Sequence, residues 1–323
     1  MKKTITIISI FLLGLSIIIG LCLGAEFISP WIIFEELVNG TMSLKLEIIY
    51  QIRLPRVMSA AFAGAALSVS GVVFQSLFRN PLADPFITGV SGGASLGISL
   101  AVILSLGPVL TMTLSFTGSI IAILILYIMS FGKGFGGGIF ILSGVAMSFI
   151  FSSSVMLLFS VAESQSVHKA LIWMMGDLSS SGAVNQWIIF LIIFILIILI
   201  WIYHSHINII ALGRSFSRSS GITDTELRII LVLASILSAL TVILGGIIPF
   251  VGLMIPHIVR YFNGYDNRTL IPLSAVTGAV FLILSDALSR SLVLPYEIPI
   301  GIITGFCGGI FFLFFVFRSR EVY

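Results

Sequence analysis

Charge is what this chain has least of. Lysine, arginine, aspartate and glutamate make up 9% of its 323 residues, against 58% hydrophobic residues; a soluble domain carries about 25% charged residues. So few polar side chains cannot cover a surface facing water, and the mean hydropathy of +1.20 agrees. Lipid is the implied solvent. No basic stripe with interleaved aromatics accompanies the net charge of +3, so nucleic acid is not an expected partner. Cys22 and Cys307 both lie in apolar runs, which indicates neither a disulfide nor a metal site. There is no G-x-x-x-x-G-K-[ST] phosphate loop, because the one Gly-Lys pair, Gly132-Lys133, is followed by glycine. The chain therefore has no ATPase site of its own. Ionisable residues within the apolar stretches are limited to Asp286 and His257, each near an expected helix end. Ion-driven transporters use polar relays at mid-depth, so an ion-coupled secondary transporter is the weaker reading. No catalytic residue, metal ligand or cofactor is expected.

Long uncharged runs are what the chain does have. Residues 4–25, 57–78, 134–162, 183–203, 269–290 and 299–317 each suit one span. Residues 86–132 are too long for one helix and divide near Gly107-Pro108. Residues 229–257 are broken by Gly245-Gly246 and Pro249, giving a helix and the start of a short one. The expectation is an all-α integral membrane protein of about ten transmembrane helices in a single domain, residues 1–323. The basic start and first apolar run look like a secretory signal, yet about 20 apolar residues is long enough to span, so a retained first helix is expected. With both termini in the cytosol, eleven of the sixteen Lys and Arg residues fall inside and five, Lys45, Arg53, Arg56, Lys169 and Arg290, outside. That is the bias cytosolic loops show.

Three features stand out against this background. Arg53, Arg56 and Arg290 sit where helices meet the outer surface, as snorkelling side chains or as a docking patch. Gly89, Gly93 and Gly97, and again Gly301, Gly305 and Gly309, recur at every fourth position and so share a helix face. Such a face lets another backbone approach closely, for packing or for a path that moves. Residues 204–228 form the longest cytosolic stretch, broken at Gly213 and Gly221 and able to make two short helices between the sixth and seventh spans. They suit a docking surface for a motor. A decoy accompanies these: Gly89-Val90-Ser91-Gly92-Gly93 and Gly93-Ala94-Ser95-Leu96-Gly97 both read G-x-S-x-G. An intramembrane serine protease would need His257 as base and a strand-turn-helix setting that a glycine-rich membrane helix lacks.

The motifs, taken in order, resemble one family. They include Arg53-Leu54-Pro55-Arg56, Gly64-Ala65-Ala66-Leu67, Ser70-Gly71, Gln75, Asn80-Pro81-Leu82-Ala83-Asp84-Pro85 and Gly89-Val90-Ser91-Gly92-Gly93-Ala94. Ser143-Gly144-Val145-Ala146, Trp173-Met174-Met175-Gly176 and Ala211-Leu212-Gly213 follow, then Gly246 and Phe250-Val251-Gly252-Leu253. Ile255-Pro256-His257-Ile258-Val259-Arg260, Asp286 and Glu297-Ile298-Pro299-Ile300-Gly301 complete the series. Together they resemble the FecCD-type permease subunits of bacterial ATP-binding-cassette (ABC) importers for iron–siderophore complexes, haem and cobalamin.

The resemblance implies a multi-pass protein of the bacterial cell membrane. Its partners would be a second permease subunit, identical or related, two ATP-binding-cassette ATPase subunits and an extracytoplasmic substrate-binding protein. Arg53, Arg56 and Arg290 match family arginines that meet glutamates on the binding protein. Ala211, Leu212, Gly213, Arg214, Ser215, Arg218 and Gly221 match the coupling helices that touch the ATPase, although Arg214 and Ser215 stand where relatives often carry acidic residues. Gly137 and Gly138 match the inner gate region, where the cobalamin permease has small hydroxyl residues. The implied cargo is a metal chelate, iron–siderophore foremost, moved by alternating access.

Overall fold

The computed structural model describes residues 2–39, 43–130, 137–179 and 185–319. Among them, regular structure is helical throughout, apart from one isolated bridge between Val293 and Tyr296. The helices are α1 (Lys2–Cys22), α2 (Pro30–Asn39), α3 (Leu44–Ile48), α4 (Leu54–Phe78), α5 (Val90–Ile103), α6 (Pro108–Ser130), α7 (Gly137–Val161) and α8 (Ser164–Met174). They continue as α9 (Gln186–Ile202), α10 (His204–Leu212), α11 (Arg214–Ser219), α12 (Asp224–Gly245), α13 (Val251–Asn263), α14 (Asn267–Ser289) and α15 (Ile300–Ser319).

Six spans among the described residues are long and apolar enough to cross a membrane. They are Thr4–Cys22, Leu44–Phe78, Pro108–Met129, Leu142–Val161, Asp224–Gly245 and Asn267–Ser289. Helices α9 and α10 qualify as a pair bent by 56°, while Val90–Ile103 and Ile300–Phe315 are shorter apolar helices. The breaks expected at Gly107-Pro108 and at Gly245-Gly246 fall where helices end: α6 starts at Pro108, and α12 stops at Gly245 before α13 begins at Val251.

At the centre stands α4, buried over most of its length. Its run of Ala60, Ala63, Gly64, Ala66, Ser68, Ser70 and Gly71 explains why: small side chains let neighbours come to backbone contact. A Cβ on Gly64 would collide with the Gly278 carbonyl of α14, and one on Gly71 with the Gly252 carbonyl of α13. Ser70 Oγ donates across the interface to Ala234 O of α12. Apolar side chains from α4, α9, α12, α13 and α14, among them Leu67, Phe74, Ile193, Leu237 and Ile283, fill the surrounding core. The outer helices are the reverse: α1, α7 and α15 turn large side chains such as Phe11, Phe149 and Phe306 outward. An apolar exterior of this kind suits lipid.

A single π-helical turn, Ile49–Arg53, joins α3 to α4. Such turns concentrate at functional sites, and this one sets Arg53 at the head of α4. With 25 residues α4 is about 37 Å long, so it separates two ends of the molecule. One carries Arg53, Arg56 and Arg290, and the other carries α10, α11 and the loop after Phe78. Helices α2 and α8 were not expected. Both are amphipathic and too short to span, and α2 exposes Trp31 and Phe34, residue types that favour the membrane–water boundary.

Candidate functional site

At the arginine end the three guanidiniums are not spread over the surface. Arg53, Arg56 and Arg290 are 6%, 7% and 5% exposed. The last turn of α1 leaves carbonyls without helical partners, and two arginines from other helices supply them. Arg53 Nη1 donates to Leu21 O and Cys22 O, at 2.8 and 2.9 Å. Arg290 Nη1 donates to Leu23 O at 2.9 Å and Nη2 to Gly20 O at 3.0 Å. A cation at a helix C-terminus is favoured by the backbone dipole as well.

Asp286, fully buried on α14, is the common counter-ion. Arg56 Nε donates to its Oδ1 at 2.9 Å. Arg290 Nε lies 3.0 Å from its Oδ2, an ion pair whose angles fall short of a hydrogen bond. Arg56 Nη1 also donates to Glu297 Oε2 at 2.8 Å. The expectation of snorkelling side chains is therefore corrected: all three arginines are buried and partnered within the chain. Asp286 and Glu297 were legible only as motif members, because Arg56 lies 230 and 241 positions from them.

The motif residues around this network knit its backbone. Ile300 N donates to Gly176 O, Gly301 N to Met175 O, and Asp177 N to Gly245 O. The Trp173–Gly176 and Glu297–Gly301 motifs thus meet at the outer ends of α8, α12 and α15.

At the opposite end, α10 and α11 are the two short helices expected. Gly213 separates them at φ 126°, ψ 160°, a conformation open to glycine, and a Cβ there would come within 3.2 Å of Arg79 Nη1. Ala211, Leu212, Ser215 and Phe216 are exposed, Leu212 at 67% and Phe216 at 51%. Arg214 and Arg218 both reach Asp224 at the head of α12, at 3.5 and 3.1 Å, and Gly221 turns the chain into that helix at φ 84°. A reciprocal cap between Thr223 and Glu226 starts α12. The segment is also tied to α14: Asn208 Nδ2 donates to Asp266 Oδ1 at 3.0 Å, and Asn267 N and Nδ2 donate to Asn208 Oδ1 at 2.9 and 2.8 Å. Nothing in the sequence pattern pointed to Asn208.

The glycine ladders divide. A Cβ on Gly93 would strike the Gly118 carbonyl of α6, and one on Gly97 the Leu114 carbonyl, so these two rungs do pack helix on helix. Gly89 is not a helical rung but the left-handed N-cap of α5, at φ 79°. Gly301 meets the Met175 carbonyl, whereas Gly305 and Gly309 have nothing within 4 Å among the described residues. The close packing expected at those two positions is not made within this chain; Gly308, off the ladder, instead lies against the Phe250 ring. Gly137 and Gly138 form the start of α7, and the 131–136 loop before them lies outside the described residues.

Between the two ends a cavity of about 690 Å³ opens on the face formed by α5, α7 and the α12–α13 break. Asp84, Ser91, Ser148, Phe149, Ser152 and Phe250 line it, and Asp84 is the one charged residue among its lining. Phe250 holds a positive φ of 69°, which is rare for a bulky residue. Gln75 supports that break, its Nε2 donating to Gly252 O and Leu253 O while its Oε1 accepts from Arg260. Asp84 accepts from Phe86 N at 2.8 Å, and burial pushes its carboxyl up to about 6. The protease reading finds no support here: Ser95 Oγ donates to Ser91 O, and the His257 ring packs on Phe311 and Phe315.

Comparison with known proteins extends the motif match to the whole chain. A model of the FecCD transport family matches residues 12–318. A probable iron chelatin transport system permease protein of Helicobacter pylori is 37% identical over 285 residues, covering 88% of this chain and 86% of that protein. The hemin transport system permease protein HmuU of Yersinia pestis is 35% identical over 326 residues, covering 96% and 95%. Among solved structures, a metal-chelate type ABC transporter in an inward-facing conformation superposes with a TM-score of 0.85 at 28% identity, covering 98% of this chain and 100% of that one.

Proposed function

This chain belongs to the FecCD transport family, and on that premise we propose how it works. It is a multi-pass permease subunit of an ABC importer for metal-chelate cargo, and ATP is hydrolysed on a separate subunit. The proposal adds the arrangement. Ten helices cross the bacterial cell membrane with both termini in the cytosol, α13 and the short helices α5 and α15 being among them. An iron–siderophore is the cargo. A second permease subunit, identical or related, closes the open face of the 690 Å³ cavity. A binding protein delivers cargo at the arginine end, and two ATPase subunits meet α10 and α11.

One observation carries this reading: candidate docking and coupling elements occupy opposite ends of the same two helices, α4 and α14. Helix α14 starts at the Asn208–Asp266 contact and ends at Asp286 and Arg290. A push on the coupling segment therefore has a rigid rod to the docking end. The exposed Leu212 and Phe216 offer an apolar contact for the ATPase. The cavity's low charge suits a bulky chelate already chosen by its binding protein. On this proposal it takes the cargo weakly and releases it as the helices tilt.

Docking at the arginine end draws on charge that the network leaves over. Three guanidiniums face two carboxylates, Asp286 and Glu297, so 3 − 2 leaves one positive charge, and such fields govern encounter rate and orientation. Replacing Arg53, Arg56 and Arg290 together by glutamine keeps hydrogen-bonding groups at these positions and removes the charge. In the reconstituted complex this change is expected to slow association of the binding protein about tenfold or more, with thermal unfolding in detergent confirming a folded variant. An unchanged association rate with a folded variant rules out docking at this end.

A further inference from the structure

We propose that a cleft beside Arg56 receives one acidic side chain of the docking protein, and that Glu297 fills the role of that side chain while the permease is undocked. The inference rests on the docking reading above and adds to it a specific exchange. Arg56 has two carboxylate partners of very different standing. Asp286 is 1% exposed at its side chain and holds Nε from within; Glu297 is 49% exposed and holds Nη1 from without. A buried guanidinium left without an acceptor is costly, so the undocked permease needs both. Only the outer one can be given up, because an ion pair with a solvated partner contributes little net stability.

The surroundings fit such an exchange. A cleft of about 140 Å³ lies between the 176–179 turn and the 297–300 segment, lined by Arg56, Glu297, Asp177, Ser179 and Pro299. That is well below the 300–1,000 Å³ typical of small-molecule sites, so it has room for one short side chain and not for a chelate. Its wall on the 176–179 side is fixed: Asp177 accepts from Ser179 N and Ser179 Oγ, both at 2.7 Å, and Ile300 N and Gly301 N tie the strand of chain after Glu297 to α8. Glu297 itself is left at the edge, in a segment whose one bridge is Val293 to Tyr296. When Glu297 swings out, Arg53, Arg56 and Arg290 face Asp286 alone, and 3 − 1 leaves two positive charges beneath the cleft. A carboxylate from outside is the chemistry that answers this. The competing occupant is a lysine or arginine reaching between Glu297 and Asp177, and the test separates the two.

The experiment uses the full complex in nanodiscs and the binding protein that supports its ATP-dependent uptake. Glu297→Gln removes the internal charge. If Glu297 competes with the docking carboxylate, the binding protein associates two- to fivefold more tightly, the range an exposed ion pair spans. The gain should vanish when Arg56 is also changed to Gln. Weaker binding by Glu297→Gln shows that a basic group docks there and overturns the proposal; unchanged binding overturns it too. Failure of the underlying docking reading looks different: Arg56→Gln alone would then bind the partner like the parent complex.

Discussion

Asp286 carries an unusual load for one carboxylate: at 1% side-chain exposure it stands against Arg56 and Arg290 together. Buried pairs of this kind hold geometry more than they add stability, and here the geometry gathers the ends of α1, α4 and α14. Asp84 is the other carboxylate with a physical consequence. Its ordinary value is 3.8, and burial in the loop ahead of α5 pushes it up to about 6. The folded state thus binds more protons than the unfolded one between those values. Stability from this group falls as pH rises from about 4 to about 6 and stays reduced above that. The full effect of a shift this size is about 3 kcal/mol, and half-burial reduces it. Asp84→Asn keeps the acceptor for Phe86 N, so its unfolding temperature should exceed the parent's at pH 7.5 and converge with it near pH 4. An equal offset at both pH values would show that the carboxyl is not strained by its burial. The sequence marked Arg53, Arg56 and Arg290 as an outer cluster, because charges are rare enough here to be seen singly. It did not show their burial: Asp286 and Glu297 lie more than 200 positions from Arg56, and no local pattern encodes such a meeting.

Among the elements, long apolar runs were the legible part. The breaks at Gly107-Pro108 and Gly245-Gly246 were visible because proline and paired glycine interrupt helices wherever they fall. Helices α2 and α8 were hidden because a window wide enough to find a span averages over short amphipathic turns. Glycine spacing was half informative. It marks a face without saying whether anything covers it, and in this chain Gly93 is covered while Gly305 is open. The contrast is measurable. Gly93→Leu would drive a side chain into the backbone of α6 and should cost about 3 kcal/mol or more, since overpacking a tight contact forces the backbone apart. Gly305→Leu should shift the detergent stability of the isolated subunit by no more than about 0.5 kcal/mol. Similar losses for both would mean that α15 packs along this face within the single chain.

At the scale of the whole molecule, the path and the coupling surfaces are built from one continuous framework. The cavity wall formed by α5 and α7, the break at Phe250 and the rod of α14 all bear on α4 or its neighbours. Nothing in that framework stores energy or binds nucleotide, and the family's chemistry places hydrolysis on another subunit. The account therefore stands on where the work comes from. The direct measurement is uptake of a radiolabelled iron chelate into proteoliposomes holding this permease alone, or the permease with its ATPase subunits, binding protein and ATP. Accumulation against a gradient should occur only in the complete system and stop when ATP is withheld. Accumulation by the permease alone, or by the complete system without ATP, would contradict it.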